Sequence, residues 1–327
     1  MAVSTKAIKT RIKSVKNTKK ITKAMEMVSA AKMRRAVDAA LNTRTYAKLA
    51  KELMEHMAYV DQPKYPLLAK RPVKNILMVL ISSNRGLCGS FNSNILRKST
   101  SLFADLDNLA RHRGKNIPKD AIPAENIHVE VLGVGKKSVA FAKRNNLELV
   151  GVFDQMGDKP DFESVLPLTK LVIDGYLKKK YDKVVVVYTD YKSSLVQETK
   201  VRQLLPLSEI ELEKMLGNLG GERNARKAQL EEKTSGEEEF KIDNYLFEPS
   251  ITVIMETVIP RLVEIQLYQS ILESSASEHS ARMVAMKNAS ESADDMISSL
   301  SLIYNKARQA GITQEIAEIS GGAAALE

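Results

Sequence analysis

Residues 1–62 contain neither Gly nor Pro, and Pro63 and Pro66 then close the stretch. Within it Ile8, Ile12 and Val15 share one helical face, as do Ile21, Met25 and Val28. The six-residue step between these triplets departs from a heptad, so the apolar stripe is expected to shift around residues 16–20. Tyr46, Ala50, Leu53, Met57 and Val60 then follow a 4-3-4-3 spacing. The pattern predicts one helix of about 55 residues, roughly 80 Å long, a length no compact domain contains.

The far end of the chain carries a stronger version of the same signal. Stepping 4-3 from Ile251 to Ala307 gives seventeen positions, of which fourteen are apolar; Gln269, His279 and Ser290 are the exceptions. A seam of this length predicts a left-handed coiled coil. Pro260 is expected to kink the element or to start its uninterrupted part. Gly311 is expected to interrupt it before a last apolar stretch that runs through Ile319.

The middle of the chain has a different texture. Residues 75–81 and 183–188 read as buried strands, with weaker strands at 127–132 and 195–204. Residues 92–109, 136–144 and 162–179 read as helices between them. This alternation predicts a mainly parallel, Rossmann-like α/β domain inserted between the two long helices. The expected boundaries are a helix over 1–62, the α/β domain over 73–206, a charged insertion over 207–244, and a second long helix with its tip over 245–327. In the insertion, Ser208 and Glu211 have capping-box spacing, and 11 of the 20 residues from 222 to 241 are charged, which reads as a solvated surface segment.

Charge changes the picture because it is local. The chain carries a formal +9, yet residues 1–60 alone hold 14 Lys or Arg against four acids. The rest is near neutral, so the basic character describes one surface or one partner. Residues 1–25 have the basic, acid-free composition of a transit peptide, but the helical pattern continues without a small-residue cleavage site, so a retained helix is expected. Apolar runs are too short to cross a bilayer, so direct membrane insertion is not expected. With Cys88 as the only cysteine, an intrachain disulfide and a cysteine metal cluster are excluded.

Candidate chemistry is sparse. Ser82-Ser-Asn-Arg-Gly-Leu-Cys-Gly-Ser-Phe-Asn92 follows a strand and opens a helix, a place where α/β folds bind phosphate, but lacks dinucleotide-fingerprint spacing. Gly133-Val-Gly-Lys-Lys-Ser138 looks like a P-loop fragment. It fails at Glu130, where the motif needs Gly, and at Lys137, where it needs Ser or Thr. His56, His112, His128 and His279 are scattered, and Cys88 reads as a structural thiol. His279 lies in the seam, where a lone polar residue fixes register. No catalytic residue, cofactor or metal is expected. A basic coiled coil binding nucleic acid or an anionic membrane stays open, as does a catalytic α/β domain with helical arms. Against the first, the basic charges are spread around the helix, with no aromatic platform before Tyr46.

Three blocks together resemble the gamma subunit of F-type ATP synthase: IKTRIKSVKNTKKITKAMEMVSAAKM at 8–33, RGLCGSFN at 85–92, and ITQEIAEI at 312–319 with its small-residue tail SGGAAA. SEHSARMVAMK at 277–287 and YNKARQ at 304–309 are similar to that family as well. The resemblance implies an antiparallel coiled coil turning inside a hexamer of alternating alpha and beta subunits. Its foot would sit on the membrane rotor ring (the c-subunit ring) beside the epsilon subunit. It implies a peripheral place on the cytoplasmic side of the cell inner membrane, with ATP chemistry on the beta subunits and torque carried by this chain. By the same resemblance Met25, Arg282, Arg308 and Gln309 look like contacts to a moving beta-subunit loop. Thr313 and Glu315 look like residues that tune coupling, and Tyr245 and Glu248 resemble the foot facing the rotor ring. The 208–241 insertion is longer than the family's usual link. The absent cysteine pair of the chloroplast type favours a bacterial source.

Overall fold

The computed structural model describes residues 5–56, 65–111, 126–154, 160–207 and 251–324. A helix without Gly or Pro, α1 (Thr5–His56), opens the chain, and a 74-residue helix, α6 (Ile251–Ala324), closes it. Between them run β1 (Asn75–Ile81), α2 (Phe91–Ala104), α3 (Leu106–Ala110), β2 (His128–Val134), α4 (Lys136–Arg144), β3 (Glu148–Phe153), α5 (Phe162–Leu177), β4 (Lys183–Tyr191) and β5 (Gln197–Leu205).

The five strands form one sheet in the order β3-β2-β1-β4-β5. β1 pairs parallel with β2 and β4, β2 pairs parallel with β3, and β5 turns back antiparallel on β4. Both faces of β1 are covered, which is why its sequence is a continuous apolar run and not an alternating one. Leu77, Val79 and Ile81 pack with Val165, Leu168 and Val172 of α5 and with Leu262, Val263 and Leu267 of α6. Ile76, Met78 and Leu80 pack on the other side with Phe91 and Ile95 of α2 and Phe141 of α4. The chain leaves β1 toward β2 on one side and returns to β4 on the other, so the winding reverses between β1 and β4.

Several expectations are corrected. The helix expected over 92–109 is two helices, because the Asp105 side chain accepts from the Asn108 amide and restarts the winding as α3. The edge strand β3 was not expected; its residues are half-exposed, and Gly151 lies where an added Cβ would come within 2.8 Å of Leu132. Pro260 lies inside α6, nine residues after its start, and Gly311 does not interrupt it. Around Gly311 no atom lies within 4 Å of a built Cβ, so the glycine costs about 1 kcal/mol of helix propensity and clashes with nothing. The charged insertion at 208–241 lies outside the described residues, as do Tyr245 and Glu248; Met57 and Val60 lie outside them too.

The chain divides into two units: Met1–Ala30 with Arg282–Glu327, and Ala31–Ala281. In the second, the sheet is joined by the adjoining lengths of α1 and α6. There Ala40 packs on Leu272, and the Thr43 hydroxyl donates to Gln269 Oε1. In the first, the ends of the two helices pair antiparallel: Lys19 Nζ meets Asp294 Oδ1 at 2.5 Å, and Thr22 Oγ1 meets Ser290 Oγ at 2.7 Å.

Candidate functional site

In the unit formed by the chain ends, the α6 seam follows the predicted heptad. Met286, Ser290 and Ala293 are buried, and Met283, Ile297, Leu300, Tyr304 and Ala307 are half-buried. The α1 seam does not follow the apolar residues. Ile8, Ile12 and Val15 are continued at unbroken 4-3 steps by Lys19, Thr22, Glu26 and Ser29, all buried or half-buried. Ile21 is 61% exposed and Val28 53% exposed, with Met27 beside them in the open. The stripe therefore does not shift around residues 16–20. Small hydroxyl side chains occupy the seam because they let the backbones approach while each satisfies its own oxygen. Thr22 Oγ1 lies 3.0 Å from the Lys19 carbonyl, and Ser290 Oγ donates to that of Met286 at 2.9 Å.

Beyond the seam α6 outlasts its partner. Advancing from the Thr22–Ser290 pair puts Thr5 level with about Ala307. From Arg308 to Gly322 every residue is exposed. This bare length carries Ile312, Ile316 and Ile319 at helical spacing, an apolar stripe left exposed among the described residues.

Arg308, Gln309, Thr313 and Glu315 therefore lie together on the exposed end of α6. Met25 is half-buried beside the seam, and Arg282 is only 8% exposed. Arg282 and Arg308 are separated by 26 residues of one helix, about 39 Å at 1.5 Å per residue. A separation of this size is more than one short loop could span.

In the unit of Ala31–Ala281 the motif candidates resolve into structural roles. Cys88 is buried in the β1–α2 loop, where Asn92 Nδ2 donates to its sulfur at 3.1 Å and brackets the Ser83 hydroxyl. The P-loop-like segment has its amides occupied by the chain itself. The Ser138 amide donates to Ser82 Oγ at 2.7 Å, that of Lys137 to the Ser83 carbonyl, and that of Lys136 to Asn84 Oδ1. Gly135 takes φ +87°, and an added Cβ would sit 2.3 Å from the Ser82 carbonyl. The loop after β1 thus fills the place a phosphate would need at the start of α4.

Two ionisable groupings escaped the sequence reading. On the strand ends, ligand atoms of His128, Glu130 and Glu148 lie within 4.8 Å of one another. The Glu130 carboxylate is already held by Lys180 Nζ at 2.7 Å and the Tyr181 hydroxyl at 2.6 Å. Burial alone would raise its pKa, but these two hydrogen bonds outweigh it and hold the group below its ordinary value.

Deeper, Glu273 of α6 is fully buried near Arg202, Asp190 and Tyr188. Burial pushes its carboxyl up to about 7, Asp190 adding to the rise while Arg202 and a hydrogen bond from Gln269 oppose it. The Tyr188 hydroxyl is pushed well above its ordinary range, first by burial and then by Glu273. Strand alternation could have found Arg202, which lies opposite Val186 in the register and so faces α6. Glu273 lies one position from the seam residue Leu272, and no sequence rule marks it.

Among the described residues no helix is long and apolar enough to cross a membrane. A family model described as ATP synthase matches residues 4–326. The ATP synthase gamma chain of Cupriavidus metallidurans is 36% identical over 323 residues, covering 98% of this chain and 99% of that one. That of Stenotrophomonas maltophilia is 37% identical over 325 residues, 99% of each. Among solved structures, a chain of the Euglena gracilis mitochondrial ATP synthase (OSCP/F1/c-ring, rotational state 3) superposes with TM-score 0.59 at 21% identity, covering 98% of this chain and 94% of its own. A chain of the Tetrahymena thermophila mitochondrial ATP synthase central stalk and c-ring gives 0.53 at 24%, covering 83% of this chain and 99% of its own. With a match along its whole length and a fold shared with those chains, this protein belongs to the ATP synthase gamma-chain family.

Proposed function

We propose that the chain is the central-stalk rotor subunit of a bacterial F-type ATP synthase. It carries torque between the membrane rotor ring and the alpha/beta hexamer and so couples proton or sodium flow to ATP synthesis. The observation that carries this reading is the bare end of α6. A helix whose residues from Arg308 to Gly322 are all exposed, with an apolar stripe and few charges, is built to be enclosed by other subunits. Turning inside a sleeve calls for a slim, stiff rod that forms few fixed hydrogen bonds with its surroundings.

The chain itself is non-catalytic in this reading. The occupied amides at the start of α4 and the structural role of Cys88 support that, and leave ATP chemistry to the beta subunits. Met25, Arg282, Arg308, Gln309, Thr313 and Glu315 would meet beta subunits as the rod turns. Tyr245 and Glu248 would belong to the foot near the rotor ring and the epsilon subunit. The complex would place the chain peripherally on the cytoplasmic side of the inner membrane.

Co-expression with alpha and beta subunits tests the assignment. One copy of this chain should be recovered with several alpha and beta subunits, and recovery only as a lone monomer would overturn it. Arg308→Glu is the cleaner side-chain test because Arg308 is exposed and Arg282 is not. It should impair ATP-driven rotation while leaving assembly intact; unimpaired rotation removes Arg308 from the interface.

A further inference from the structure

Strand register brings together three side chains for which the rotor reading has no use. His128 and Glu130 stand two residues apart on β2 and so share one face of the sheet. Glu148 is the register partner of Glu130 on β3, about 4.8 Å away across the ladder and on the same face. We propose that His128 Nε2, Glu130 Oε1 and Glu148 Oε2 form a binding site for a divalent transition cation of the zinc class, which clips the edge strand β3 to β2. The site lies wholly within the α/β sheet unit and does not rest on the rotor assignment.

The distances suit such an ion. His128 Nε2 lies 3.0 Å from Glu148 Oε2 and 3.9 Å from Glu130 Oε1, and all three ligand atoms fall within 4.8 Å of one another. A tetrahedral zinc with bonds of roughly 2.0–2.1 Å holds its ligand atoms about 3.3 Å apart. His128 and Glu148 are exposed, so both side chains can rotate to that spacing. With three protein ligands the fourth position falls to water.

The buried member of the group supplies an independent observation. Glu130 is only 7% exposed, and its carboxylate is oriented before any ion arrives. Lys180 Nζ and the Tyr181 hydroxyl both donate to the same oxygen, Oε2, and hold the group ionised. Among the described residues no hydrogen bond reaches Oε1, which is the oxygen turned toward His128 Nε2. One oxygen fixed from behind and the other left toward an imidazole is the arrangement that outer hydrogen bonds give a metal-ligating carboxylate.

Charge points the same way. Two carboxylates stand directly opposite each other across the ladder, where like charges weaken a strand pair. Lys180 offsets one of them. With the imidazole neutral, the form that binds metals, the group keeps a net negative charge. Just beyond it the β2–β3 register shifts between Val131 and Leu132, so the edge strand is held by an irregular ladder. A cation at this point turns the repulsion into a bridge between the strands.

Ligand chemistry sets the class of ion. Imidazole suits zinc and its first-row neighbours, whereas magnesium and calcium take oxygen ligands, many of them water. His128 is thus the residue that separates the two classes.

The test is calorimetric titration of the chelator-treated, full-length chain with zinc chloride, with thermal unfolding followed in parallel. Saturable zinc binding is expected, with an unfolding midpoint that rises with zinc concentration. His128→Ala and Glu148→Gln change exposed side chains, so both variants should fold with unchanged circular dichroism spectra. Each should weaken zinc binding about tenfold or more. Magnesium chloride should bind far more weakly; equal affinity for the two ions overturns the proposal, because the imidazole would then take no part. Absence of saturable zinc binding overturns it too, as does a folded variant of either kind that binds zinc as tightly as the wild type.

Discussion

Around β1 the side chains of Leu77, Met78, Val79 and Leu80 have no exposed surface, and apolar residues from four helices close over them. In the paired chain ends the buried positions of the seam include Thr22, Ser29 and Ser290 beside Ile8, Met286 and Ala293, while Ile21, Met27 and Val28 face outward. The sheet is held by removing apolar area from water on two sides. The seam is held by close approach of small residues and a few hydrogen bonds. An element that keeps its apolar side chains for the outside is arranged around partners it does not contain.

The comparison is broken most severely in the sheet. Leu77→Ala removes three carbons from a site without exposed surface and leaves a cavity in the central strand. It should cost about 4 kcal/mol, read as a lowered denaturant midpoint at unchanged slope. A loss below about 1 kcal/mol would mean that the core relaxes around β1 far more freely than its two covering layers imply.

Next in size is the polar exception within that unit, Glu273. Its folded pKa of about 7 lies above the ordinary value of 4.5, so the folded state holds this proton more tightly than the unfolded chain. The contribution is therefore fully favourable below 4.5, is lost as pH rises toward 7, and is level above that. At about 1.4 kcal/mol per pH unit the loss is on the order of 3 kcal/mol. Glu273→Gln keeps an oxygen for Gln269 and carries no titrating proton. Stability measured from pH 4.5 to 8 should fall less steeply in the variant, which should be the more stable protein at pH 8. Identical pH profiles would place the Glu273 carboxyl in contact with bulk water.

What the sequence disclosed divides along the same line. β1 and β4 were legible because a strand covered on both faces must be continuously apolar. β3 was not, since an edge strand with half-exposed residues and Gly151 carries neither an apolar run nor a clean alternation. The α6 seam was legible from its apolar heptads. The α1 seam was misread because apolarity stood in for burial, and between two closely packed helices size matters more. Thr22 and Ser29 fit where Ile21 and Val28 would hold the backbones apart. The exposed end of α6 was legible only through resemblance, since periodicity shows an apolar stripe but not whether the chain itself covers it. The buried group at Glu273, Arg202 and Asp190 depends on the docking of α6 against β4 and β5; strand alternation points to Arg202 alone, and no local pattern signals Glu273.

The seam itself should respond mildly. Thr22→Val is close to isosteric and removes the contact to Ser290, whose hydroxyl still donates to the Met286 carbonyl. About 1 kcal/mol is expected for one neutral hydrogen bond, and hydrogen exchange of residues 286–294 should report it as faster opening of the chain-end pair. A loss above about 3 kcal/mol would show that the hydroxyl pair governs the seam, leaving the small-residue approach as a secondary feature.

The smallest effect on stability is expected at the bare end of α6, and it is the most informative. Ile316 is 59% exposed and lies midway along the stripe of Ile312 and Ile319. Ile316→Ser should change the stability of the isolated chain by less than about 0.5 kcal/mol, because the side chain leaves no core when it is lost. In the reconstituted complex the same change removes apolar surface from whatever encloses the helix. It should lower the yield of assembled complex or the torque it sustains, at unchanged stability of the free subunit. A variant that destabilises the isolated chain would show that the stripe packs within the protein. A variant silent in both assays would show that the stripe bears no load and that the sleeve grips α6 elsewhere. Only the combination of a silent free chain and an impaired complex fits a rod whose apolar residues are kept for its partners.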